Sequence, residues 1–140
     1  LDLPLISMMR SLSKLTHKPV SHGEFLAMLR YAPGHEYKPH HDYLEQDSED
    51  YSKIEQSGQR ALTVLIYLNH GYEGGETNFP HLNLSYKGAT GDCLAFQNCD
   101  DAGDGIADSL HAGLPIKLGE KWLATLWVRQ KVFWPPETSC

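Results

Sequence analysis

Three residues in this chain have the chemistry of metal ligands at a telling spacing: His40 and Asp42 in "KPHHDY", and His111 in "SLHAGLP" far downstream. In an extended segment, residues two apart share a face. His40 and Asp42 can therefore offer an imidazole and a carboxylate to one ion while His41 points away. Two imidazoles and one carboxylate form the facial set that leaves three positions open on non-haem Fe(II), where a cosubstrate binds. A bare His-x-Asp is weak evidence in a chain with eight histidines, so the surrounding elements have to carry the argument.

The segment from Arg60 to Leu68, "RALTVLIYL", reads as the clearest strand, rich in branched and aromatic residues and apolar on both faces, and so central. Lys121 to Arg129 alternates. Trp122, Ala124, Leu126 and Val128 fall on one face, and Lys121, Leu123, Thr125, Trp127 and Arg129 on the other, so Lys121 and Trp127 look the same way. "GEFLAMLRYAP" is a further strand closed by Pro33-Gly34, and an extended segment then carries Glu36 to Tyr43. "LNLSYKG" and "DCLAFQN" are short strands, and "GYEGGETNFP" is read as a turn through its glycines. Gly74, Gly75 and Gly88 are taken to permit turns, because no helix start follows them to cradle a phosphate. Ahead of all this, Leu5, Met8, Met9, Leu12 and Leu15 recur at helical spacing, with Asp2 as a cap and Pro19 beyond the end. The expectation is one domain over 1–140, a helical brace at 1–20 and an all-β core at 24–134. Its strands form two antiparallel sheets of a double-stranded β-helix, or jelly roll.

"LRYAPGHEYKPHHDY", "GGETNFP", "KGATGDCLAFQN" and "SLHAGLPIKLGEKWLATLWV" occur in that order, and together they resemble the prolyl 4-hydroxylase family of Fe(II)- and 2-oxoglutarate-dependent dioxygenases. The resemblance runs from about Glu24 to Arg129. It implies that His40, Asp42 and His111 hold Fe(II), and that Lys121, ten positions after the distal histidine, meets the far carboxylate of 2-oxoglutarate. Tyr31 matches a tyrosine that hydrogen-bonds the same carboxylate. The implied reaction uses dioxygen to split 2-oxoglutarate to succinate and carbon dioxide while hydroxylating an unactivated carbon, with ascorbate as reductant. Relatives that act on peptidyl proline have substrate-contacting residues at the positions of Tyr37, Arg60, Trp127 and Arg129, the last a histidine in the family. The implied partner is therefore a proline-containing peptide or protein.

Composition bounds the remaining classes. Hydrophobic content of 41%, charged content of 21% and a formal charge of −6 suit a globular chain and speak against nucleic acid or an anionic membrane as partner. The acidic run at 45–50 reads as a solvated loop. Cys93, Cys99 and Cys140 form no disulfide framework, which favours a reducing, cytoplasmic setting, with Cys93 packed inside its apolar run. His17, His22, His35, His70 and His81 are expected in solvated loops, and the Asp-rich "CDDAGDGIADS" lacks the spacing of a calcium loop. Two rival readings share the scaffold. One is a metal-holding module that recognises a proline-containing partner without turnover, and the other is a hydroxylase of a free amino acid or small molecule. A zinc hydrolase would need a general base beside the metal-bound water, and none is apparent.

Overall fold

The computed structural model describes residues 3–45 and 51–133. Most of the acidic run, the Asp2 cap, Cys140 and residue 134 of the expected core lie outside the described residues. The chain opens with helix α1 (Leu3–Thr16) and continues through β1 (Ala27–Tyr31), β2 (Tyr37–His40), the short helix α2 (Lys53–Ser57) and β3 (Arg60–Tyr67). β4 (Glu73–Gly74), β5 (Thr77–Phe79), β6 (Leu84–Tyr86) and β7 (Cys93–Gln97) follow, then β8 (His111–Gly113), β9 (Ile116–Leu118) and β10 (Lys121–Arg129). The glycine-rich segment read as a turn therefore contains two short strands.

Two four-stranded sheets, ordered β1-β10-β3-β7 and β2-β8-β5-β6, are accompanied by the small β4-β9 pair, and every strand pairing is antiparallel. Alternation explains how the larger sheet is used. One face of β3 and β10 presents Val64, Ile66, Ala124, Leu126 and Val128, and α1 covers it with Met8, Met9 and Leu12. Each fully buried aliphatic side chain there contributes about 1.5–3 kcal/mol of transfer free energy. The opposite face presents Leu65, Tyr67 and Leu123, packed by Leu29, Tyr31, Leu94 and Phe96. Phe96 of this sheet meets Phe79 of the other edge to face, at 5.0 Å between centroids, and so joins the two layers.

Several local expectations change. Cys93 is exposed rather than packed, because β7 is an edge strand whose Cys93, Ala95 and Gln97 alternate outward from Leu94 and Phe96. Gly88 has an ordinary φ and is required for closeness instead: a Cβ there would lie 2.4 Å from the Tyr67 ring. His22 is half-buried, with Nδ1 3.1 Å from the Arg129 carbonyl, whereas His17, His35, His70 and His81 are exposed as expected. Among the described residues no helix is long and apolar enough to cross a membrane.

Candidate metal centre and cosubstrate cleft

Antiparallel pairing of β2 with β8 sets His40 directly across from His111. β2 ends at His40, so Asp42 lies in the bend just beyond the strand rather than within it. The bend still returns the carboxylate to the His40 side. Ligand atoms of His40, Asp42 and His111 all lie within 4.8 Å of one another, while His41 turns the other way to stack on Tyr43 at 4.6 Å.

Each metal-facing imidazole is tied by its other nitrogen. His40 Nδ1 lies 2.7 Å from the Lys38 carbonyl and His111 Nδ1 lies 2.9 Å from the Ser109 carbonyl. A carbonyl only accepts, so both Nδ1 atoms carry hydrogen and both Nε2 lone pairs are free to face the centre. Those Nε2 atoms stand 3.4 Å and 3.7 Å from the two Asp42 oxygens, beyond good hydrogen-bond length and suited to a cation between them. Burial pushes the Asp42 carboxyl up, but His40, the neighbouring His111, Thr63 and the Trp127 indole together hold it at about 2. Burial lowers His40, yet Asp42 and the Lys38 carbonyl outweigh it and raise the ring, whereas for His111 burial prevails and lowers it. Two oriented imidazoles and an ionised carboxylate fit Fe(II).

The centre opens into a cleft whose lining runs from the three ligands back to Lys121. Its walls between are apolar, with Leu29, Leu65 and Leu123 among them. Lys121 is 3% exposed. Its Nζ donates to the Gly75 carbonyl at 2.6 Å and lies 5.6 Å from the Tyr31 and Tyr67 ring centroids. No ion pair holds it among the described residues. Burial lowers its ammonium to about 8, offset in part by Glu76. Gly75 makes this approach possible: its φ is +69°, and a Cβ there would sit 2.3 Å from Ile116 Cδ1 and 3.4 Å from Lys121 Cδ. Tyr31 lines the same cleft, its hydroxyl raised to about 12, chiefly by burial.

The four residues matched to substrate contacts divide. Tyr37 and Trp127 line the cleft, and Tyr37 stacks on His40 with ring centroids 3.9 Å apart. Arg60 and Arg129 do not line it. Glu24 takes Arg60 through two hydrogen bonds, of 2.8 and 2.9 Å, and Arg129 through one of 3.2 Å. Arg129 is 1% exposed and lies where the pairing register of β10 with β3 shifts. Arg60 instead lies over the Trp127 ring at 4.2 Å. Sequence reading also passed over Thr63, Asn98 and Thr125, polar side chains buried behind or beside the centre. A Thr within an otherwise apolar strand was the available signal for Thr63, and it names no partner.

A double-stranded β-helix carrying a His-x-Asp and a distal His at one end of a cleft that also reaches a buried lysine defines a class of oxygenase. A family model for the 2OG-Fe(II) oxygenase superfamily matches residues 26–129, and the chain belongs to that superfamily. It is 38% identical over 126 residues to prolyl 4-hydroxylase 1 of Arabidopsis thaliana, spanning 81% of this chain and 43% of that protein. To prolyl 4-hydroxylase subunit alpha-3 of Rattus norvegicus it is 34% identical over 131 residues, spanning 92% of this chain and 24% of the relative. The chain thus spans less than half the length of these relatives. Among solved structures, the viral collagen prolyl hydroxylase of Paramecium Bursaria Chlorella virus-1, in its 2OG complex, superimposes with a TM-score of 0.71 at 32% identity. That match covers 87% of this chain and 69% of the viral chain.

Proposed function

We propose that this chain is the catalytic domain of a 2-oxoglutarate-dependent dioxygenase that hydroxylates a peptidyl proline. The observation that carries the reading is one cleft with three convergent ligands at one end and, at the other, a buried ammonium that forms no ion pair among the described residues. A structural metal site has no use for that ammonium, whereas a five-carbon diacid needs both ends. An unpaired carboxylate buried in such a cleft is costly.

His40, Asp42 and His111 would hold the iron. When bound, ferrous iron supplies the redox chemistry that joins oxidative decarboxylation of 2-oxoglutarate to transfer of one oxygen atom onto an unactivated carbon. Lys121 neutralises the distal carboxylate with its remaining donors, and the Tyr31 hydroxyl faces the same space. Leu29, Leu65 and Leu123 keep water from the cosubstrate and lower the local dielectric, which strengthens the ammonium–carboxylate attraction. At the mouth, Tyr37 and Trp127 offer flat aromatic surfaces suited to a proline ring. Arg60 lies over the Trp127 ring and steadies it, and Arg60 and Arg129 share Glu24. The names of the relatives support proline as the target.

The test is succinate release from 2-oxoglutarate by the iron-loaded domain with a panel of proline-containing peptides, together with mass spectrometry of the peptides. Succinate formed in step with gain of one oxygen atom on proline is expected. Succinate coupled to a free amino acid, with the peptides unchanged, would replace the substrate. No succinate under any condition, with metal bound, would leave a binding module.

A further inference from the structure

Asp42 is held from behind by a chain of buried hydrogen bonds that the reaction above does not itself require. Thr63 Oγ1 donates to Asp42 Oδ2 at 2.6 Å, and Asn98 Nδ2 donates to Thr63 Oγ1 at 2.8 Å. Thr63 and Asn98 are both 0% exposed. The direction of the chain is fixed by chemistry. An ionised Asp42 only accepts, so the single hydroxyl hydrogen of Thr63 goes to it, and Asn98 must then present its NH₂ rather than its carbonyl oxygen to Thr63. That leaves Asn98 Oδ1 buried with no partner among the described residues, an unfavourable arrangement. Backbone bonds anchor Asn98 on either side: its N–H donates to the Ala61 carbonyl and its carbonyl accepts from Ile106, both at 2.9 Å.

We infer that the Asn98–Thr63 relay is a positioning device for the metal centre: by holding Oδ2 of Asp42 it fixes the attitude in which the carboxylate faces His40 and His111. A carboxylate free to rotate would have to be ordered when the metal binds, which would weaken affinity. Thr63 lies on β3 and Asn98 just past β7, so the relay fastens a ligand carried by the bend after β2 to the rigid larger sheet. Outer partners of this kind are worth about 10–100-fold in metal affinity. The inference rests on the reading of His40, Asp42 and His111 as a metal site.

The experiment uses the purified chain with Thr63→Val, which keeps shape and removes the hydroxyl, beside Thr63→Ser, which restores it. Affinity for Mn(II) is measured without cosubstrate, and the visible band of the anaerobic Fe(II)–2-oxoglutarate complex is recorded. Thr63→Val is expected to bind Mn(II) about tenfold or more weakly and to shift that band, with Thr63→Ser returning both to wild-type values. Asn98→Leu, which frees the hydroxyl to rotate, gives a smaller loss in the same direction. Wild-type affinity and spectrum in Thr63→Val would overturn the relay while leaving the metal site standing. Wild-type protein that binds no metal would overturn both.

Discussion

Replacing Lys121 with Met should make the empty protein more stable while disabling it. Burial, partly offset by Glu76, holds the Lys121 ammonium at about 8 against an ordinary 10.5, a difference of about 3 kcal/mol. Between those two values the folded chain binds fewer protons than the unfolded one, so stability rises with pH across that window and the full cost stands below pH 8. Met fills similar space without charge and forfeits the ammonium's bond to the Gly75 carbonyl, about 2 kcal/mol because the donor is charged. The net gain at pH 7 is about 1 kcal/mol, or roughly 3 °C in Tm for a chain of this size. It shrinks as the pH approaches that of free lysine.

Cosubstrate binding should move the other way. Removing one partner of a buried charge pair costs about 2–5 kcal/mol, so the Kd for 2-oxoglutarate rises by about 30-fold or more. In the wild type the same group makes affinity fall about tenfold from pH 7 to pH 9, as Lys121 loses its proton. Thermal melts of the metal-free variants at pH 7 and pH 10, with titration of 2-oxoglutarate into the Mn(II)-loaded protein, read both signs. A Lys121→Met protein less stable than wild type at pH 7, with unchanged affinity for 2-oxoglutarate, would refute the assignment of Lys121 to the diacid.

Asp42→Ala removes a hard oxygen ligand and its charge and strands the Thr63 hydroxyl, so Mn(II) binding and turnover should both be lost; retained coupled turnover would contradict the ligand assignment. His40→Ala should likewise abolish metal binding. His41→Ala should weaken it by no more than about tenfold, because His41 stacks on Tyr43 and pairs with Ser109 Oγ, at 3.2 Å, on the loop that holds His111; equal losses in the two variants would mean that the register of the bend is wrong. Leu126→Ala, beneath α1 in the core beside Leu12 and Val64, should cost about 2–5 kcal/mol in denaturant unfolding with the ligand geometry intact, seen as an unchanged spectrum of the bound metal.

What was legible in the sequence is what local alternation determines. β3 and β10 show their two faces directly, α1 shows its stripe, and Lys121 and Trp127 follow from being an even number of residues apart. His40 and Asp42 could be paired by the same rule, and they do converge, although β2 stops at His40 and a bend performs the return. The remainder depends on contacts between distant segments. Glu24 binds both Arg60 and Arg129, and neither arginine carries a local sign of it. Thr63 reads as one polar residue in an apolar strand until Asp42 and Asn98 arrive on either side. Cys93 looks like core because edge and centre strands share a composition, and only sheet order separates them. The functional consequence lies in the same division. The residues proposed to touch iron and diacid sit on the regular strands or hard against them, where pattern places them, while the partners of Asp42 and Trp127 are supplied by long-range pairing. Substitutions of the second kind should leave the motif intact and still alter affinity, so a chain that retains His-x-Asp and Lys but loses the Thr or Asn behind them is expected to bind its metal less tightly than the motif alone suggests.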